Sequence, residues 1–231
     1  MALLFKFINY GTEHFAWLFA GLCSVVFWVK LGQRQRDDLG QRRVGLAMSL
    51  IPALWWTAVS LWMALFERPP NLNLVLPFHV CYAANLLLPL MLWWRSYALF
   101  EVLYFVVMAG CIQALLTPDL QTNFPERINL RYFIVHIGLV QSVLYAVWVF
   151  GFRPQWRGLL RAVLWMNLYF LAIIPINMLL GTNFMFLRQK PPSPNLLDLF
   201  GPWPWYILGA EMLGVLLFVV VLLPFLRYKK F

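Results

Sequence analysis

Cys81 and Asn85 stand four positions apart in Leu76-Pro77-Phe78-His79-Val80-Cys81-Tyr82-Ala83-Ala84-Asn85, so a helix carries both on one face. A thiol becomes a strong nucleophile as the thiolate, and an adjacent imidazole is a suitable acceptor for its proton. The sequence offers three imidazoles, His14, His79 and His136. His79 is two residues from Cys81, about 200° away round a helix, and suits interfacial hydrogen bonding. His136 is the candidate base. Gln113, Asn177 and Asn183 supply amides able to stabilise an oxyanion, with Asn85 as a further supporting group. Glu211 lies in an apolar run, where an acid must be protonated or paired. It would either orient His136 or be neutralised by Arg131 or Arg188. Together these residues point to acyl transfer, with Cys81 attacking an ester carbonyl and His136 as general base.

Each residue also has a plainer structural use. Cysteine is a small residue tolerated in membrane helices, and asparagine often joins one such helix to another. His136 alone would serve as a donor between helices. His14 and Glu13 open the first apolar segment and suit solvated capping, while Glu101 sits one turn from a segment end and can snorkel. No two histidines share a metal-binding helical spacing, so no metal or other cofactor is expected. No G-x-S-x-G, P-loop or dinucleotide fingerprint is present. Cys23, Cys81 and Cys111 all fall in apolar runs, which argues against a secreted disulfide framework. A Cys81–Cys111 bridge is the one pairing left open.

These side chains need elements to hold them, and composition says what kind. Of 231 residues, 62% are hydrophobic and 12% charged, and the mean hydropathy is +0.72. Soluble domains run near 45–50% apolar and about 25% charged. The expectation is an all-α, polytopic integral membrane protein, one domain over residues 1–231, with no cleavable signal peptide. A span takes about 20 apolar residues, and seven stretches qualify, at roughly 12–30, 44–66, 74–94, 97–117, 130–151, 161–181 and 204–226. Arg68-Pro69-Pro70-Asn71, Arg153-Pro154 and Pro191-Pro192-Ser193-Pro194 are among the turn signals between them.

The net charge of +9 reads as topology. Lys30, Arg34, Arg36, Arg42, Arg43, Arg95, Arg153, Arg157, Arg161, Arg227, Lys229 and Lys230 fall on one side. Lys6, Arg68, Arg127, Arg131, Arg188 and Lys190 fall on the other, offset by Glu13, Glu67, Asp119, Glu126 and Asp198. The richer side should be cytoplasmic. An N-terminus-out, C-terminus-in protein of the plasma (bacterial inner) membrane follows, with no role in nucleic-acid binding. Cys81 and His136 then lie roughly 10 Å below the outer surface, counting 1.5 Å per residue. Gln113, Asn177 and Glu211 fall at similar depth in three other helices, so a single buried site in the outer leaflet accounts for all five.

Several stretches resemble one family. They are Pro77-Phe78-His79-Val80-Cys81, Gln113-Ala114-Leu115-Leu116-Thr117-Pro118-Asp119-Leu120 and Phe133-Ile134-Val135-His136, then Ile176-Asn177-Met178-Leu179-Leu180-Gly181-Thr182-Asn183-Phe184, and Gly201-Pro202-Trp203-Pro204-Trp205-Tyr206. Over about residues 74 to 208 the chain resembles the bacterial YwaF-like integral membrane proteins. The resemblance implies a seven-helix fold similar to a mammalian transmembrane acyltransferase for ether phospholipids, and more distantly to androgen-induced-type transmembrane hydrolases. It also implies a membrane-embedded Cys and His at Cys81 and His136, with a phospholipid or lysophospholipid as substrate and partner.

The competing class is a non-enzymatic transporter or lipid-binding protein whose polar cluster holds a ligand. Glu211 and the proline-interrupted segments at Pro89 and Pro175 favour it, and the absence of an internal repeat counts against a transporter. The enzymatic reading requires the third and fifth helices to be neighbours, with the sulfur about 3–3.5 Å from the ring.

Overall fold

The structure is a computed structural model describing residues 7–191 and 196–226. Lys6, Arg227, Lys229 and Lys230 of the charge count, and Pro192, Ser193 and Pro194 of the last turn signal, lie outside the described residues. Within them every regular element is helical. In order these are α1 (Thr12–Gln33), α2 (Asp38–Phe66), α3 (Leu72–Val75), α4 (Val80–Trp93), α5 (Tyr97–Val106), a π turn (Val107–Cys111), α6 (Ile112–Leu116), α7 (Arg127–Trp148), α8 (Trp156–Leu180) and α9 (Trp205–Leu226). Two short 3-10 turns, Phe184–Phe186 and Leu196–Phe200, precede α9. Seven stretches are long and apolar enough to cross a bilayer, as expected. The second begins earlier than the apolar run does, at Asp38, because Arg42 pairs with Asp38 one turn away at 2.5 Å. An acid in the first turn and an i,i+4 ion pair both favour helix there.

Two spans are interrupted, and both interruptions bear on the site. The third breaks at Leu76–His79, where Leu76 (φ −87°, ψ 145°) and His79 (φ −74°, ψ 136°) are extended. Pro77 explains this, since it lacks an N–H and disfavours helical geometry in the residue before it. The fourth passes through the π turn. A π turn inserts one residue and rotates every later side chain by about 100° round the axis.

Helix α7 is the centre of the bundle, packed against α1, α2, α4 and the π turn. Phe133, Val135, Leu139, Val143, Tyr145 and Ala146 are all buried. Its approach to α2 depends on Gly138, where an added Cβ would stand 2.5 Å from Pro52 Cγ. Helix α8 packs on α5, and α9 on the π turn. Leu160, Leu164, Leu171, Met212, Leu216 and Leu223 on their outer faces are exposed, as lipid-facing positions require.

Two expectations for polar residues are corrected. Glu101 does not snorkel; it is 2% exposed and forms an ion pair with Arg161. His14 is fully buried, not a solvated cap. Its Nδ1 accepts from Tyr10 N (2.9 Å) and its Nε2 donates to the Leu115 carbonyl (2.7 Å). Glu13 accepts from Phe124 N and Asn129 Nδ2. Both residues therefore tie α1 to α6, to the loop after it and to the start of α7.

Candidate functional site

Cys81 is the second residue of α4, not a mid-helix residue, because the break at Leu76–His79 makes Val80 the first. It therefore sits in the first turn of a helix, where the Tyr82 and Ala83 N–H groups are taken by the His79 carbonyl. Two side chains approach its sulfur. The Sγ of Cys111, brought round by the π turn, is 3.5 Å away, and both thiols are free. From α7, which packs against α4, His136 brings its imidazole into the neighbourhood of the thiol.

The orientation of His136 has an identifiable cause. Its Nδ1 lies 2.8 Å from the Tyr132 carbonyl one turn earlier. A carbonyl only accepts, so Nδ1 carries the proton and Nε2 carries the lone pair of the neutral ring. The Tyr132 ring lies against the imidazole with centroids 4.2 Å apart, and its hydroxyl donates to the Ala114 carbonyl at 2.7 Å. A buried imidazole with Nε2 available is thus locked from both sides. His79 caps the break instead. Its Nδ1 accepts from Met185 N at 3.5 Å, and its ring packs on Phe184, Phe186 and Tyr82.

The remaining candidates divide by location. Asn85 is fully buried but turned to α2, where Nδ2 donates to the Pro52 carbonyl (3.2 Å) and Oδ1 is enclosed without a partner. Asn177 is committed to the loop after α8. Its Nδ2 donates to Phe184 O, and its Oδ1 accepts from Phe184 N and Thr182 Oγ1. Asn183 likewise holds Arg188 N, Gln189 N and Gln189 O. Both asparagines form the loop that packs on His79 and Val80, where Met185 Sδ accepts from Val80 N at 3.2 Å.

Gln113 and Glu211 line a cavity of about 490 Å³ enclosed by the π turn, α8 and α9, with Val80 at its wall. Most of its lining is apolar, including Val106, Met166, Phe170 and Phe218. The partner of Glu211 is neither Arg131 nor Arg188 but Asn167, whose Nδ2 donates to Oε1 at 2.7 Å. The orientation of His136 comes from Tyr132 and owes nothing to Glu211. Arg188 instead donates to the Asn177 and Thr182 carbonyls. Asn167 escaped sequence reasoning, although a lone amide inside Trp165–Phe170 was a usable signal.

The arrangement therefore has a thiol at a helix start, a histidine held in one tautomer and an adjoining apolar cavity with a polar edge. A family model described as the TMEM164 family matches residues 9–222. No curated protein and no solved structure matches the chain.

Proposed function

The chain belongs to the TMEM164 family of transmembrane proteins, and from that premise we propose that it is a membrane-embedded acyltransferase or lipid-ester hydrolase acting through Cys81 and His136. The observation that carries the reading is the Tyr132 carbonyl on His136 Nδ1, which leaves Nε2 to serve the Cys81 thiol. Nε2 takes the thiol proton as Sγ attacks the acyl carbonyl of a phospholipid. The oxyanion is met by the backbone N–H of Cys81, since those of Val80, Tyr82 and Ala83 are already bonded, and such a donor is worth about 3 kcal/mol in comparable sites. The intermediate collapses with cleavage of the ester C–O bond. The leaving lysolipid oxygen takes the proton back from Nε2, and a thioester stays on Cys81. A lysophospholipid hydroxyl, or water, then gives its proton to Nε2 and attacks the thioester, and the departing Cys81 sulfur recovers that proton.

The 490 Å³ cavity is of ligand size and would hold the acyl chain beside Val80. The excess of Lys and Arg on one side orients the site to the outer leaflet. The resemblance to YwaF-like proteins and to an ether-phospholipid acyltransferase supports the same chemistry.

The test is intact-protein mass spectrometry after incubation with mixed phospholipids. The expected result is a hydroxylamine-labile gain of one acyl chain, absent in Cys81→Ala. Loss of the base should slow its appearance in His136→Ala by about 100- to 10,000-fold. An unmodified mass with Cys81 freely alkylated would sink the enzymatic reading and leave a lipid-binding protein, the class the Asn167–Glu211 edge of the cavity favours.

A further inference from the structure

Arg131 is 1% exposed, among the most enclosed large side chains in the molecule. The sequence places it among the surface charges, yet it lies between α2, α3, α4 and α7. Among the described residues no carboxylate pairs with it. Its one short hydrogen bond is from Nη1 to the Leu74 carbonyl at 3.0 Å. Ser60 Oγ and Tyr82 OH stand at 3.5 Å, beyond the usual range of about 2.7–3.2 Å for N–H···O bonds, and the third contact at that distance is the uncharged, weakly accepting Met63 Sδ. The Tyr82 ring lies 5.3 Å from the guanidinium carbon. A guanidinium has five N–H donors and a permanent charge, and burying such a charge is very unfavourable without an anion.

Its position says which anion. Arg131 is the fifth residue of α7, about 6 Å along the axis from the first. Ser60 and Met63 belong to the last two turns of α2, and Leu74 to the short helix after it. The guanidinium is thus at the end of the bundle where spans meet the aqueous boundary, one residue along the chain from the Cys81 side through Tyr82. Leu74 and Tyr82 are only half-buried, so this face is not sealed.

We propose that Arg131, with Ser60 and Tyr82, binds the phosphodiester of a phospholipid headgroup and sets the lipid in register with Cys81. Phosphate oxygens suit the two-pronged donor geometry of arginine. The assignment to a lipid rests on the lipid-ester reading of the site. Arg131 is a positioning residue and takes no part in bond making.

The experiment uses the full-length Cys81→Ala protein in detergent, so that acyl-transfer chemistry plays no part and its failure is a separate result. Affinities are measured by native mass spectrometry for dihexanoyl phosphatidylglycerol, for dihexanoylglycerol and for inorganic phosphate. Arg131→Gln should weaken the phosphatidylglycerol complex about tenfold or more, the scale of a lost charge-assisted hydrogen bond. It should leave dihexanoylglycerol within about twofold, with Arg131→Lys between the two. If Arg131→Gln fails to fold, the protein retaining Arg131 still decides. There phosphatidylglycerol must bind more tightly than dihexanoylglycerol, and more tightly than phosphate alone. Equal binding of the two lipids, an unchanged phosphatidylglycerol affinity in folded Arg131→Gln, or tighter binding of free phosphate would each overturn the proposal. An unchanged affinity would also mark Arg131 as serving only the fold.

Discussion

Gly214 gives the sharpest handle on the cavity. It lies inside α9 and lines the cavity, and an added Cβ there would meet no atom within 4 Å. Gly214→Ala should therefore fold normally and gain about 0.5–1 kcal/mol from the helix backbone. Gly214→Leu adds about four carbons to the space that would otherwise take methylenes. At about 0.8 kcal/mol per buried methylene, a chain long enough to need that space loses about 3 kcal/mol, or roughly 200-fold in acylation. A chain about four carbons shorter should be nearly unaffected. The assay is competition. Wild type and both variants are given an equimolar mixture of phospholipids differing only in acyl length, and the thioester masses on Cys81 are compared. The Leu variant should shift to shorter chains and the Ala variant should shift little. An unchanged distribution in a well-folded Leu variant would refute the placement of the acyl chain in this cavity.

Three further outcomes follow from the packing. Asn177→Ala removes three loop hydrogen bonds, at about 0.5–1.5 kcal/mol each. Thermal unfolding should show about 2–4 kcal/mol of lost stability while the folded fraction acylates at the wild-type rate; a 100- to 1,000-fold slower rate would restore its oxyanion role. Gly138→Ala drives a Cβ to within 2.5 Å of Pro52 Cγ and should destabilise by about 1–3 kcal/mol, measurable as an earlier unfolding transition. Diamide should join Cys81 to Cys111, given sulfurs 3.5 Å apart. The protein should then lose two hydrogens in mass and its reactivity to alkylation at Cys81, both restored by dithiothreitol and neither lost in Cys111→Ala.

Much of the site was legible from residue type and depth. Cys81 and His136 stand out because a thiol and an imidazole at matched depth in lipid seek partners, and the structure packs the helices that carry them against each other. Periodicity also places Cys81 and Asn85 on one face of a helix, but that face serves two different neighbours. Cys81 meets α7 and the π turn, while Asn85 meets the Pro52 carbonyl of α2. The asparagines near 180 are candidate oxyanion donors by residue type, because an amide suits that role as well as it suits closing a loop. Only the chain path, which brings Phe184 N and O to the Asn177 amide, shows where that side chain is bonded.

The sequence by itself determined that the chain is helical, that seven stretches cross lipid and where the turns between them fall. Those are local properties, fixed by apolar run length, proline and the need to satisfy backbone groups within each segment. It also singled out a thiol and an imidazole as candidates by chemistry alone. Tertiary structure decided that α4 lies beside α7, that Cys111 faces Cys81 after the π turn, and that Arg131 is enclosed with no acid paired to it among the described residues. These depend on which helices are neighbours and on a one-residue shift in helical register. Neither is encoded in any single run of residues, because helix pairing is settled by packing between segments distant in the chain, such as Gly138 against Pro52.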